Sequence, residues 1–208
     1  MSVELDHILW AAPDLDTGST LLGQLAGVAP ARGGSHPGFG TRNSLLSLGD
    51  TYLEVIAPDP AQSLEGNRGG VIAAMPRPGL ITFAVRTTDL AGYAGAAEKA
   101  GVTTRGPIAM SRTRPDGVRL EWACIYVEHA VYGEAIPFAI DWRGSPHPSG
   151  TTPPGCRLLD VAVLHPDPEP LAAIYAAIGI PVAVKAAAAP GFLATVATPR
   201  GELVLTQA

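Results

Sequence analysis

The segment Tyr52-Leu53-Glu54-Val55-Ile56 sets a carboxylate inside an otherwise apolar strand pattern. Along a strand alternate residues share a face, so Tyr52, Glu54 and Ile56 fall on one side and Leu53 and Val55 on the other. On a concave surface that receives a ligand, Glu54 is a metal ligand or a general base that takes a proton next to a carbonyl. On a solvent face it is an ordinary surface acid. Burial without a partner costs too much to be tolerated, so a buried Glu54 requires a metal or another cation beside it.

Other pocket candidates are Arg42, Asn43, Glu121, Trp122 and Trp142. In Val118 to Cys124, alternation puts Leu120, Trp122 and Cys124 on one face and Arg119, Glu121 and Ala123 on the other. Trp122 is then a core residue or a platform for a ligand. Trp142 ends a strand and walls the pocket or covers the core. The Gly33 to Gly40 run has neither the GxxxxGK spacing of a phosphate loop nor the GxGxxG of a dinucleotide fold, and no GxSxG elbow occurs. It reads as a close-packed turn where a bare backbone leaves room for a ligand. His129, His147 and His165 fall near strand ends or in Pro-rich connections and read as surface residues, with burial left open for His165, which follows an apolar run. Cys124 reads as a buried thiol, neither cysteine has a metal-binding spacing, and pairing between Cys124 and Cys156 stays open.

Three strand-helix openings would position these residues. Leu5 to Ala12 is an apolar strand running into Pro13-Asp14, followed by a helix with Leu21, Leu22 and Leu25 at helical spacing. Asp16 or Thr17 is the expected cap, and Gly27 the stop. The outline returns at Leu80 to Leu90, with a helix through Tyr93 to Gly101, and at Leu158 to Asp167, with a helix through Leu171 to Gly179. Strands and turns follow each helix: Thr41 to Ser47 and Tyr52 to Ile56; Val118 to Val127 and Ile136 to Trp142, introduced by the turn Arg114-Pro115-Asp116-Gly117; Gly191 to Thr198 and Glu202 to Leu205. The fold class expected is α+β, with tandem βαβββ units at residues 1–60, 61–145 with its linker, and a diverged third at 156–208, in one compact assembly. Pro- and Gly-rich linkers fall at Pro58 to Gly79 and Gly144 to Gly155.

With 47% hydrophobic and 16% charged residues among 208, the chain has the composition of a globular protein rather than a disordered one. A net charge of −5 without a run of Lys or Arg argues against a nucleic-acid partner. No apolar run approaches the roughly 18 residues of a spanning helix, so no membrane association and a cytoplasmic location are expected.

The tandem βαβββ pattern resembles the vicinal oxygen chelate superfamily, which includes glyoxalase I, extradiol dioxygenases, methylmalonyl-CoA epimerase and the fosfomycin- and bleomycin-resistance proteins. Leu5-Asp6-His7, Asp14-Leu15-Asp16, Gly33 to Asn43, Leu48-Gly49 and Tyr52 to Pro60 look like the uncharacterised glyoxalase-like domain family, as do Arg114 to Gly117, Trp122 and Pro137 to Trp142 further on. The resemblance implies a small-molecule ligand, a homodimer, and either a metal-dependent lyase, isomerase or dioxygenase acting on vicinal oxygens or a metal-free binding protein of the same shape.

The superfamily's metal sites draw one ligand from the first and one from the last strand of each of two units. Projected here, that implies His7 and Glu54, suited to zinc, manganese, nickel or ferrous iron. Laying Asp14 over Asp89 puts Thr82 at the His7 position and Ala139 near that of Glu54. Laying Pro13-Asp14 over Pro166-Asp167 puts Asp160 at the His7 position and Val204 or Leu205 near Glu54. The four-ligand set is therefore incomplete. His36 is the available third ligand, giving two histidines and one carboxylate. Otherwise His36 only hydrogen-bonds within its Gly-rich loop and His7 is a satisfied strand histidine, or the same residues line a metal-free polar pocket.

Overall fold

The computed structural model describes residues 1–113 and 117–207. The expected turn at Arg114, Pro115 and Asp116 lies outside the described residues. The first unit runs β1 (Glu4–Ala11), α1 (Leu15–Ala26), β2 (Ala31–His36), β3 (Thr41–Ser47) and β4 (Tyr52–Pro58). A short helix α2 (Arg68–Ala73) follows, then β5 (Gly79–Arg86), α3 (Leu90–Lys99), β6 (Thr103–Thr113), β7 (Arg119–Glu128) and β8 (Phe138–Asp141). The last unit is β9 (Arg157–His165), α4 (Pro168–Ile178), β10 (Ala183–Ala186), β11 (Gly191–Thr198) and β12 (Gly201–Thr206).

Local chemistry sets the helix ends. Asp14, rather than the expected Asp16 or Thr17, is the cap and accepts from the Thr17 N–H at 2.8 Å, and Gly27 closes α1 in a left-handed conformation that glycine adopts without strain. Asp89 caps α3 in the same way through the Gly92 N–H. No helix is long and apolar enough to cross a membrane among the described residues.

The first two units share one eight-stranded sheet in the order β2-β3-β4-β1-β5-β8-β7-β6. Its centre is the antiparallel pair β1 and β5, and each unit pairs its first and last strands in parallel. The sheet curls until its edges meet: an added Cβ on Gly34 of β2 would lie 3.3 Å from Arg112 Cδ of β6. Ile8, Trp10, Leu53, Val55, Phe83 and Val85 cover the convex face and pack with the helices in the main core. His7, Leu9, Glu54 and Ile56 face the concave side.

The third unit keeps the order of elements but not their pairing. Its sheet runs β10-β9-β11-β12, with β10 parallel to β9 on one side and the β11–β12 hairpin on the other. It packs on the main core through Leu171, Tyr175, Ile178 and Phe192. Asp160 forms an exposed ion pair with Lys185, and no described residue beyond Pro148 lines the concave cavity.

Several elements depart from the sequence reading. The first half of the Gly33 to Gly40 run is strand β2 rather than a turn, with His36 at its end. The edge strands β6 and β10 and the helix α2 are additional. Both edge strands carry basic residues, as unpaired sheet edges commonly do, which hides them from an apolar-alternation signal.

Candidate active site in the concave face

A cavity of about 1230 Å³ fills the curl of the sheet. One wall is aromatic and apolar: Phe138 stacks on Tyr126 at 5.4 Å, Phe39 lies 5.7 Å from Tyr126, and Trp122 and Trp142 pack together at 5.7 Å. The polar lining residues His7, His36, Asn43 and Glu54 adjoin this wall, with Phe138 edge-on to His7 at 5.8 Å.

His7 and Glu54 come from neighbouring parallel strands, with Leu9 opposite Glu54 in the register. His7 Nε2 lies 3.3 Å from Glu54 Oε2, and His36 Nε2 lies 3.7 Å from Glu54 Oε1. Each imidazole is fixed from behind. His7 Nδ1 is 2.5 Å from Asp6 Oδ1, and His36 Nδ1 is 2.9 Å from Thr41 Oγ1. The His7 ring also stacks on Tyr52, with centroids 4.5 Å apart.

Asn43 completes the cluster. Its Nδ2 donates to Glu54 Oε1 at 2.6 Å and lies 3.2 Å from His36 Nε2, while its Oδ1 accepts from the Gly34 N–H at 2.8 Å. A Cβ on Gly33 would lie 2.0 Å from that Oδ1. The bare backbone therefore makes room for Asn43, where the sequence reading left room for a ligand.

Asp6 reaches His7 because of a break in the β1–β5 ladder. Leu5 pairs with Val85 and His7 with Ala84, so Asp6 is an extra residue at a bulge. Bulges re-aim side chains beside functional sites. The fully buried Asp6 carboxylate also accepts from Trp142 Nε1 at 2.9 Å and sits 3.1 Å from His147 Nε2.

The electrostatics follow. Burial opposes charge on His7, but its contacts with Asp6 and Glu54 prevail and hold it up at about 9. Burial likewise favours neutral Glu54, yet His7, His36 and Asn43 bring it down to about 2. Burial also opposes charge on Asp6, whose carboxyl is nonetheless held below its usual range by His147 and His7. Burial lowers His36 and leaves it neutral near pH 7. Cys124 is pushed up to about 12 by burial and is an inert wall thiol.

Of the residues read from sequence, His7, His36, Asn43, Glu54, Trp122 and Trp142 all line the cavity. Arg42 does not: it alternates with Thr41 and Asn43, and its charge acts on Asp14 and Asp59. Glu121 is exposed and pairs with Arg119. Asp6, Thr41 and His147 were not read as site residues. Asp6 precedes His7 directly, but a bulge leaves no mark on apolar periodicity, and His147 sits in a Pro-rich connection.

The second half lacks equivalent donors. The ladder is symmetric about the β1–β5 pair, so Thr82 occupies the His7 position as expected. The Glu54 position belongs to Phe138, opposite Ala84, one residue from the expected Ala139. Ala139 faces the main core, since a one-residue slip changes the face of the sheet.

For a divalent ion, the His7, His36 and Glu54 donors fit in kind, and both Nε2 atoms face the carboxylate from anchored rings. Buried carboxylates behind ligating histidines are a common outer-shell feature. Among the described residues, no three His, Cys, Asp or Glu side chains already stand grouped as a metal site.

A curled sheet of paired βαβββ units around such a cavity is the architecture of the vicinal oxygen chelate superfamily. The sequence profile of the glyoxalase-like domain family matches residues 5–179, and the chain belongs to that family. A hypothetical protein from Staphylococcus aureus is similar in structure, with a TM-score of 0.69 at 17% identity, covering 99% of this chain and 85% of that one. A methylmalonyl-CoA epimerase variant from Streptomyces coelicolor, in complex with 2-nitronate-propionyl-CoA, gives 0.51 at 17% identity, covering 69% and 98%. An epimerase in complex with methylmalonyl-CoA and NH4+ gives 0.50 at 18% identity, covering 70% and 100%. At these identities the likeness is one of fold. No curated protein matches the sequence.

Proposed function

We propose that the protein is a metal-dependent enzyme acting on a small molecule with vicinal oxygens, a lyase, isomerase or dioxygenase, with His7, His36 and Glu54 as the metal ligands. The observation that carries this reading is the pair of imidazoles, each anchored at Nδ1 and each turning Nε2 toward one ionised carboxylate. The ion supplies Lewis acidity, polarising a carbonyl or stabilising an enediolate.

The chain's own residues bind, orient and tune. Asp6 fixes the His7 ring and compensates positive charge at Nε2. Asn43 holds Glu54 by one oxygen and leaves the other toward His7. A carboxylate held at about 2 makes a weak proton acceptor near neutral pH, so Glu54 serves better as a ligand than as a general base. The wall of Phe39, Tyr126 and Phe138 excludes water from the substrate's apolar part.

Elemental analysis and calorimetric titration with Mn2+ and Zn2+ test the proposal. About one ion per chain is expected for the wild type, and none for His7→Gln or His36→Gln variants that keep the wild-type melting profile. A folded wild-type protein that takes up no ion overturns it. Thr82 and Phe138, at the positions matching His7 and Glu54, favour the second reading: a metal-free binding protein whose ligand affinity chelators leave unchanged.

A further inference from the structure

Two connections meet over one end of the cavity. β4 is parallel to β1 and β5 runs against both, so the connection from β4 to β5, which carries α2, leaves the curl where Ala11, Ile56 and Gly79 stand together. β8 is parallel to β5 and β7 antiparallel to β8, which brings the connection from β7 to β8 to that same end. Leu64, Asn67, Arg68 and Val71 of the first connection line the cavity, as do Gly133 and Glu134 of the second. Trp142, bound to Asp6, stands at the opposite end.

Arg68 and Glu134 tie the two connections together. Arg68 Nη1 donates to Glu134 Oε1, and Nη2 donates to Oε2 at 3.0 Å. The Glu134 backbone is held separately, because Thr82 Oγ1 donates to its carbonyl at 2.8 Å. The position matching His7 in the second half thus anchors the turn that carries Glu134. The ion pair itself is open to water, with the two side chains 26% and 53% exposed. A pair so exposed biases an equilibrium by no more than about fivefold, enough to hold two segments together and weak enough to let them part.

The helix beneath the pair is lightly attached. Of the residues of α2 only Gly69 and Ile72 are buried, Ile72 in a small cluster with Leu9, Ala11 and Ile56. The Gly69 N–H donates to the Phe39 carbonyl at 2.9 Å. That approach needs a bare backbone, since a Cβ on Gly69 would lie 2.0 Å from the Gly40 carbonyl oxygen. Gly66, just ahead of the helix, has a φ of 66° and no atom within 4 Å of where its Cβ would lie, so the chain can swivel there without strain. We propose that α2 and the loop leading into it form a gate over this end of the cavity, latched by Arg68 on Glu134. The gate sets how fast small molecules enter and leave, not how tightly they are held. It rests on the small-molecule part of the reading above and not on the metal.

Stopped-flow fluorescence with Nile red, a neutral dye that brightens in apolar surroundings, tests the gate. In Glu134→Gln the association and dissociation rates should both rise about fivefold while Kd stays within about twofold of the wild type. Gly69→Ala should act in the same direction by pushing α2 off Gly40 with the ion-pairing residues intact. Raising ionic strength should speed association in the wild type but not in Glu134→Gln. Arg119→Gln, which breaks the exposed pair with Glu121 elsewhere, should leave the rates unchanged. Melting curves identify variants that lose the fold, and if Gly69→Ala is one of them Glu134→Gln decides alone. Wild-type rates in folded Glu134→Gln overturn the gate. A rise in dissociation alone, with Kd weakened in proportion, also overturns it, by making the pair a ligand contact. Failure of the dye to bind the wild type overturns the gate and leaves the metal reading to its own titration with Mn2+.

Discussion

Replacing Asp6 with asparagine preserves shape and removes one charge from the most deeply buried ion pair of the site. His7, ordinarily near 6.5, is held at about 9 in the folded chain. At about 1.36 kcal/mol per pH unit, that difference corresponds to roughly 3 kcal/mol of stability. Because the folded-state value is raised, this contribution is complete below pH 6.5 and is lost as pH rises through about 9. Between those limits the folded chain holds the extra proton, so stability should fall with pH. Asp6→Asn leaves Glu54 as the one remaining carboxylate against His7, and breaking a buried pair costs on the order of 3 kcal/mol. The expected loss is thus about 3 kcal/mol at pH 6 and about 1 kcal/mol at pH 9.5, where His7 is neutral and only the hydrogen bonds of His7, Trp142 and His147 to this side chain are weakened. Urea unfolding followed by tryptophan fluorescence at both pH values measures the difference. An equal loss at pH 6 and 9.5 would refute the assignment of a charged His7.

Glu54 gives the opposite sign. Its folded value of about 2 lies below the ordinary 4.5, so its contribution is present above pH 4.5 and disappears as pH falls toward 2, and Glu54→Gln should flatten that acid-side loss in unfolding curves. Binding of Mn2+ requires His7 to give up its proton, so apparent affinity should rise about tenfold per pH unit from 6.5 up to 9, with proton release visible in buffers of different ionisation enthalpy. Gly33→Ala should expel Asn43 from Glu54 at a cost of about 1 to 3 kcal/mol and weaken Mn2+ binding, whereas wild-type affinity in that variant would remove Asn43 from the site. Tyr93→Phe deletes a buried hydrogen bond to the Pro137 carbonyl in the helix-side core, and should cost about 1 kcal/mol in denaturant titration without changing ligand or metal affinity.

Much of the cavity's polar lining was legible in the sequence because it lies on strands whose apolar alternation is strong. Glu54 stands out against Leu53, Val55 and Ile56, and the Asp14–Asp89 alignment finds the Thr82 position correctly. The same alignment misses Phe138 by one residue, since loop lengths drift between strands and only hydrogen-bond register fixes the pairing. The third unit's helix and strands were readable, but its sheet order depends on non-local pairing, so its separation from the cavity was not. Asp6 and His147, 141 residues apart, meet only in the folded chain.

The bulge at Asp6 sets one residue of β1 outside its ladder with β5, and β5 has a matching extra residue at Ile81. Deleting Asp6 would close the break between Leu5 and His7 while leaving the one between Leu9 and Trp10, keep every core-facing side chain of β1 after it on its own side, and leave His7 without its anchor. A single in-frame codon thus stands between the backbone frame and the arrangement of the polar cluster, so the shape and the proposed site can be inherited apart.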